Sequence, residues 1–153
     1  MHSVVHYEKH KLSVSFSIVG NLDDYELPEK AKLRRGDELW KQTCFELFLA
    51  KSTGSDYYEL NFSPSFVWNF YYLSEYRAEP SEVEIEKEPK IESCKNSESY
   101  KISFEIELKT FDFDSYNVAA ILLPKQGERT FWSVHHYNHV PDFHNRENFL
   151  KVK

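Results

Sequence analysis

The sequence predicts an all-β fold, an antiparallel β-sandwich of immunoglobulin-like or jelly-roll-like kind, with residues 1–153 as a single domain. Three observations carry this reading. Short segments alternate apolar and polar side chains with a period of two, as half-buried strands do. Turn signals recur at roughly 8 to 12 residues, the rhythm of sandwiches and barrels. The chain holds 12 Phe, 10 Tyr and 3 Trp against 4 Gly, a composition suited to pleated surfaces. No segment shows a convincing amphipathic helical period.

Taken in order, "KLSVSFSIVG" places Leu12, Val14, Phe16 and Ile18 on one face and three serines on the other, with Gly20-Asn21 as its exit. Residues 21–38 are charged, lack a clear period and read as a long connection containing one helical turn at most. "TCFELFLA" is a near-continuous apolar strand ended by the turn "STGSD". "YYELNFS" sets Tyr58, Leu60 and Phe62 against Tyr57, Glu59, Asn61 and Ser63, and Pro64 closes it. "VWNFYYLSEYR" is a strand that is aromatic on both faces. The acidic stretch from Glu79 to Ser99 reads as one exposed strand carrying Val83, Ile85 and Ile91, followed by a loop. "YKISFEIELK" alternates cleanly, "NVAAILLP" is a buried strand, "RTFWSVHHY" is another, and "FLKVK" adds a short one. That makes nine or ten strands.

Charge and motifs exclude several function classes. Nineteen basic and 25 acidic residues leave a net charge of −6 with no basic stripe, so nucleic acid is not an expected partner. No run reaches the length of a membrane span, and "MHSVVHYEKH" lacks the features of a secretory leader, so a cytoplasmic location is expected of the chain as given. Cys44 and Cys94 have no zinc or redox spacing. Nucleophile elbow, phosphate loop and dinucleotide fingerprint are all missing.

The informative residue is Glu46. In its strand Phe45, Leu47 and Leu49 take one face, while Cys44, Glu46 and Phe48 take the other. With both faces covered, the carboxylate is desolvated unless a partner or ligand meets it. A buried pair with Arg or a Tyr hydroxyl serves packing equally well. The functional alternative aims Glu46 into a pocket beside Trp40. An aromatic plate with nearby carboxylates and amides is what sugar recognition requires, because C–H faces stack on rings while hydroxyls need fixed donors and acceptors. Trp40, Glu46, Glu59 and Asn61 supply that set, with Trp68 and Trp132 as candidate further plates.

His2, His6 and His10 are spaced by four at the N-terminus, where scattered histidines on a mobile segment are the expected state. "HHYNHVPDFH" gathers His135, His136, His139, Asp142 and His144, but in no standard zinc pattern. Glu46 and Glu59 are also the one pair to consider for acid–base catalysis of the glycosidase kind.

With these residues in view, "DELWKQTCFELFLA", "YYELNFSPSFVWNFYYLSEYR" and "HVPDFHNRENFLKVK" resemble the DOMON-like proteins related to carbohydrate-binding module family 9, from about Asp37 to the C-terminus. The resemblance implies a two-sheet β-sandwich and, in the carbohydrate-binding members, a sugar end held between two tryptophans. Trp40 and Glu46 match the first tryptophan and the acidic residue of that pattern, and Asn61 matches an asparagine on the next strand. Glu59 stands where those modules tend to have a basic residue. The second tryptophan has no match, Phe143 and His144 being the nearest rings. Other DOMON domains bind haem through Met and His, and Met1 is the only methionine here, which disfavours haem.

The expectation is therefore a non-catalytic module binding a saccharide through Trp40, Glu46, Glu59, Asn61 and Trp68, with His144 closing the site. No cofactor is required, and calcium is retained as a candidate to be tested. A small glycosidase and a protein-interaction domain whose aromatic surface meets a protein partner are the rivals.

Overall fold

In a computed structural model, residues 1–109, 111–136 and 139–152 are described. They form twelve strands: β1 (His2–Glu8), β2 (Lys11–Val19), β3 (Arg34–Arg35), β4 (Cys44–Ala50), β5 (Tyr57–Phe62), β6 (Val67–Leu73), β7 (Ser81–Glu82), β8 (Lys90–Lys95), β9 (Ser99–Glu107), β10 (Ser115–Leu122), β11 (Thr130–Ser133) and β12 (Leu150–Lys151). Helical content among the described residues is confined to three single 3-10 turns, Leu22–Asp24, Leu39–Lys41 and Arg146–Asn148.

The strands build two sheets, one ordered β1-β2-β9-β8 and the other β11-β10-β4-β5-β6-β3. β12 and β11 follow one another along the free edge of β10, and β7 adds to the edge of β6 beyond β3. Pairing is antiparallel apart from β3 with β6. This is the predicted β-sandwich.

The main core lies between the sheets and follows from period-two alternation. Leu12, Val14, Phe16 and Ile18 of β2 and Tyr100, Ile102, Phe104 and Ile106 of β9 meet Phe45, Leu47, Leu49, Leu60, Phe62, Trp68 and Phe70 of the larger sheet. Aromatic pairs knit the layers, with Phe16 and Phe45 centroids 5.0 Å apart and Phe62 and Phe104 also 5.0 Å apart. Each fully buried ring of this kind contributes about 1.5–3 kcal/mol.

The opposite face of the larger sheet is also covered. Phe48, Ala50, Tyr57, Tyr71, Leu73, Ala119 and Ile121 form a second apolar cluster there, closed by Phe143 from the C-terminal segment. As a result all seven residues of β4 are buried, as its unbroken apolar run requires.

Three expectations change. The N-terminus is strand β1, paired residue for residue with β2 from His2↔Ser17 to Glu8↔Lys11. The hairpin turns on Lys9 and His10, both at positive φ (52° and 68°), the type I′ geometry that normally selects Asn-Gly and so left no signal in the sequence. His2 and His6 therefore sit on an exposed edge strand while His10 sits in the turn. In the acidic stretch the strands are Ser81–Glu82 and Lys90–Lys95, so the connection precedes the longer strand rather than following it; Val83 and Ile85 pack on the core from that connection. The 21–38 connection contributes a short strand as well as its 3-10 turn. Tyr137, at the end of the strand expected from "RTFWSVHHY", and Lys153 of "FLKVK" lie outside the described residues.

Candidate functional site

Alternation puts Glu46 of β4 and Glu59 and Asn61 of β5 on the outer face of the larger sheet. Glu46 stands opposite Asn61 on one side and Ala119 on the other, and Glu59 stands between Phe48 and Tyr71. Both carboxylates are nearly inaccessible, Glu46 at 3% and Glu59 at 7% exposure. The polar row of β5 is thus buried, because the C-terminal segment and the 74–80 connection fold across it.

Above this row lies a cleft of about 410 Å³. Trp40, Tyr71, Phe131 and Phe143 give it aromatic walls, and Glu46, Glu59, Arg77 and His144 give it polar ones. The Asn61 amide donates to Glu59 Oε1 at 2.7 Å, whereas the Asn61 carbonyl oxygen is buried with no partner among the described residues. Glu46 accepts no hydrogen bond and forms no ion pair with any described residue. Ala119 beside it offers only a methyl group, which leaves the carboxyl open to the cleft.

Arg77 is held at the rim with φ of 54°, in the left-handed region. Its guanidinium binds Asp142 at 3.1 Å and the Tyr76 hydroxyl at 3.2 Å, and Tyr76 donates to the other Asp142 oxygen at 2.7 Å. The Arg77 backbone N–H donates to the Tyr57 hydroxyl at 3.1 Å. The Tyr57 hydroxyl keeps its own proton and can donate it to His144 Nδ1, 2.6 Å away. A neutral imidazole accepting at Nδ1 carries its proton on Nε2, the nitrogen 4.0 Å from Glu59.

Electrostatics follow from this packing. Burial, reinforced by the charge of Glu59, raises the Glu46 carboxyl well above its ordinary range, with Arg77 opposing. Burial likewise raises Glu59, against the Asn61 hydrogen bond and Arg77. Burial and the nearby Arg77 charge lower His144 to about 4, so it is neutral at physiological pH. Burial, then the charges of Glu46 and Glu59, push the Cys44 thiol up, making it an inert core group.

The C-terminal segment is tied down across the outer face. Asn117 donates to the Phe143 carbonyl at 3.0 Å, Asn148 donates to the Asp142 carbonyl at 2.9 Å, and Arg146 reaches carbonyls of the 51–56 turn. Trp40 is carried by the 3-10 turn after Glu38, and its carbonyl accepts from Arg129 at 3.0 Å.

Of the predicted residues, Trp40, Glu46, Glu59 and His144 line one cleft and Asn61 supports it from beneath. Trp68 does not belong there. It is 1% exposed, points between the sheets beside Phe104, and lies under the Arg35 guanidinium at 4.5 Å. The reason is parity: within β6 it shares the inner face with Phe70, while Asn69 and Tyr71 point outward. The same parity separates the adjacent rings of β11. Trp132 pairs with Ala120 of the inner face, and Phe131, paired with Ile121, enters the cleft. Among the described residues no three His, Cys, Asp or Glu side chains gather in a metal-binding group. Sequence reasoning missed Arg77, Tyr71 and Phe131. Alternation offered a signal for Tyr71 and Phe131, whereas Arg77 lies in a connection without a period.

Fold and site together define a β-sandwich with a carboxylate and aromatic cleft on the outer face of its larger sheet. No protein-family model and no curated protein matches the chain. Among solved structures it is similar to a "putative carbohydrate-binding protein" of Bacteroides uniformis, with a TM-score of 0.67 and 13% identity, over 96% of this chain and 74% of that one. At this identity the likeness shows a shared fold.

Proposed function

We propose that the chain is a non-catalytic saccharide-binding module of the DOMON-like type related to carbohydrate-binding module family 9, with its site in the Trp40–Glu46 cleft. The observation that carries this reading is Glu46, buried, without a partner among the described residues and open to a cleft with aromatic walls. A buried carboxylate left unpaired is costly, and ligand hydroxyls are suited to satisfy it. The cleft volume falls within the range of about 300–1,000 Å³ typical of small-ligand sites. Trp40 and Phe143 supply the stacking faces, and Glu46, Glu59 and the Arg77 guanidinium supply the polar rim. The fold shared with a protein described as carbohydrate-binding supports the same class of ligand.

The test is a thermal-shift and tryptophan-fluorescence screen against neutral and amine-bearing mono- and disaccharides, with and without calcium. A ligand bound only by the folded state raises Tm. A shift of several degrees that vanishes in Trp40→Ala is expected, and a flat response to every sugar would overturn the reading.

One observation favours a second reading. A carboxyl whose proton affinity is raised by burial, beside a second carboxyl, is the arrangement of a glycosidase acid and its partner. Turnover of chromogenic glycosides that disappears in Glu46→Gln would replace binding by catalysis.

A further inference from the structure

Charge in the cleft does not balance. Three acids face it or its rim, Glu46, Glu59 and Asp142, and two groups could answer them, Arg77 and His144. Arg77 is already committed, its guanidinium bound to Asp142 at 3.1 Å and to Tyr76 at 3.2 Å. His144 is neutral at physiological pH, lowered to about 4 by burial and the Arg77 charge, and its Nδ1 is already engaged with the Tyr57 hydroxyl at 2.6 Å. Glu59 retains the Asn61 amide at 2.7 Å, but Glu46 has neither a hydrogen-bond donor nor an ion-pair partner among the described residues, and Arg77 acts on it only from a distance. Two neighbouring buried acids therefore share a cleft whose one lining guanidinium, Arg77, is already bound to Asp142.

Neutral hydroxyls would satisfy lone pairs there without favouring the ionised form of either acid, which burial disfavours. An ammonium group would do both, since it brings three donors and a full charge. The walls also suit a cation: Trp40, Tyr71, Phe131 and Phe143 present ring faces or edges around the same space, and aromatic faces attract cations. An anionic sugar would meet two carboxylates and be repelled.

We propose that the ligand is an amino sugar with a free amine, and that Glu46 and Glu59 together select it by receiving the ammonium. This rests on the saccharide reading above and adds the chemical class. Discrimination comes from the amine, not from the ring, so acetylation of the same sugar should remove it. Losing a charge-assisted contact to a desolvated carboxylate reduces binding by roughly tenfold to a hundredfold.

The experiment is calorimetric titration of the full chain at neutral pH with D-glucosamine, N-acetyl-D-glucosamine and D-glucose, and with the corresponding galactose series. The free amines should bind at least about tenfold more tightly than their acetylated and neutral counterparts. Glu46→Gln and Glu59→Gln, each shown folded by its melting curve, should abolish that preference. Equal affinity for the three forms of a sugar would overturn the amine proposal and leave the saccharide reading standing. No binding of any form would overturn both. Calcium chloride alone stabilising the protein through Glu46 and Glu59 would reassign the pair to a metal cation and overturn the amine proposal as well.

Discussion

At the scale of single residues, Glu46 sets function against stability. Its folded-state proton affinity is raised, chiefly by burial, so the native state holds more protons than the unfolded chain at pH values above the ordinary 4.5. Stability from this group is present below that value and is lost as pH rises through its raised folded pKa. Glu46→Gln should consequently be more stable than the parent, by a margin that widens from pH 4.5 toward neutrality. His144 acts at the other end. It titrates at about 4 in the fold against an ordinary 6.5, so the unfolded state binds more protons between those values. Stability should fall as pH drops from 6.5 to 4, by up to about 3 kcal/mol, and His144→Gln should flatten that limb. Chemical denaturation of the parent and both variants across this pH range checks the two signs together; parallel curves would refute the assignment of either slope.

At the scale of elements, the cleft is an assembly of loops held on one rigid surface. β4, β5, β6 and β10 provide the carboxylates and their floor, while Trp40, Arg77, Phe143 and His144 all arrive on segments between strands. Those segments depend on anchors outside the cleft. Arg146 is the clearest, since its guanidinium bonds the carbonyls of Lys51, Gly54, Ser55 and Asp56 and stacks near Phe149 at 5.4 Å. Arg146→Ala removes these bonds, most of which are open to water, and should cost about 0.5–1.5 kcal/mol. It should also weaken ligand binding without touching the cleft, and amide hydrogen exchange at Phe143 and His144 should accelerate. Unchanged exchange there would mean that Asn117 and Asn148 suffice to hold the segment.

At the scale of the whole molecule, one sheet carries two hydrophobic clusters, one on each face. The inner cluster is continuous across both sheets, whereas the outer one is shallow and interrupted by polar side chains. Truncating an inner ring should therefore be far more costly than truncating an outer one. Trp68→Ala is expected to lose about 3–5 kcal/mol in urea unfolding while Trp40→Ala, partly buried at the margin of the outer cluster, loses much less. A comparable loss in the two variants would mean that Trp40 is a core residue and not a ligand plate.

How much of this was legible in the chain depends on periodicity. The period of two in "KLSVSFSIVG", "YYELNFS" and "YKISFEIELK" determined the strands, the inner faces and the sandwich, because a pleated strand assigns every side chain to one side or the other. The same rule, with the apolar surroundings of Glu46 in "TCFELFLA", indicated that this carboxylate would be desolvated unless a partner or ligand met it, while the register of β4 with β5 put it on the face of Glu59 and Asn61. It could not tell which sheet face the loops would cover, so Trp68 was placed among ligand plates although its parity with Phe70 sends it inward. Hairpin β1–β2 escaped notice because Lys9 and His10 adopt a turn geometry that their side chains do not advertise. Only the tertiary structure decided that the outer face would be closed by the C-terminal segment, that Arg77 would be neutralised by Asp142, and that Phe131 rather than Trp132 would reach the cleft. The physical reason is that loops carry no repeat: their positions are set by long-range hydrogen bonds such as Asn117 to Phe143 and Tyr57 to His144, which join residues far apart in sequence and leave no local pattern.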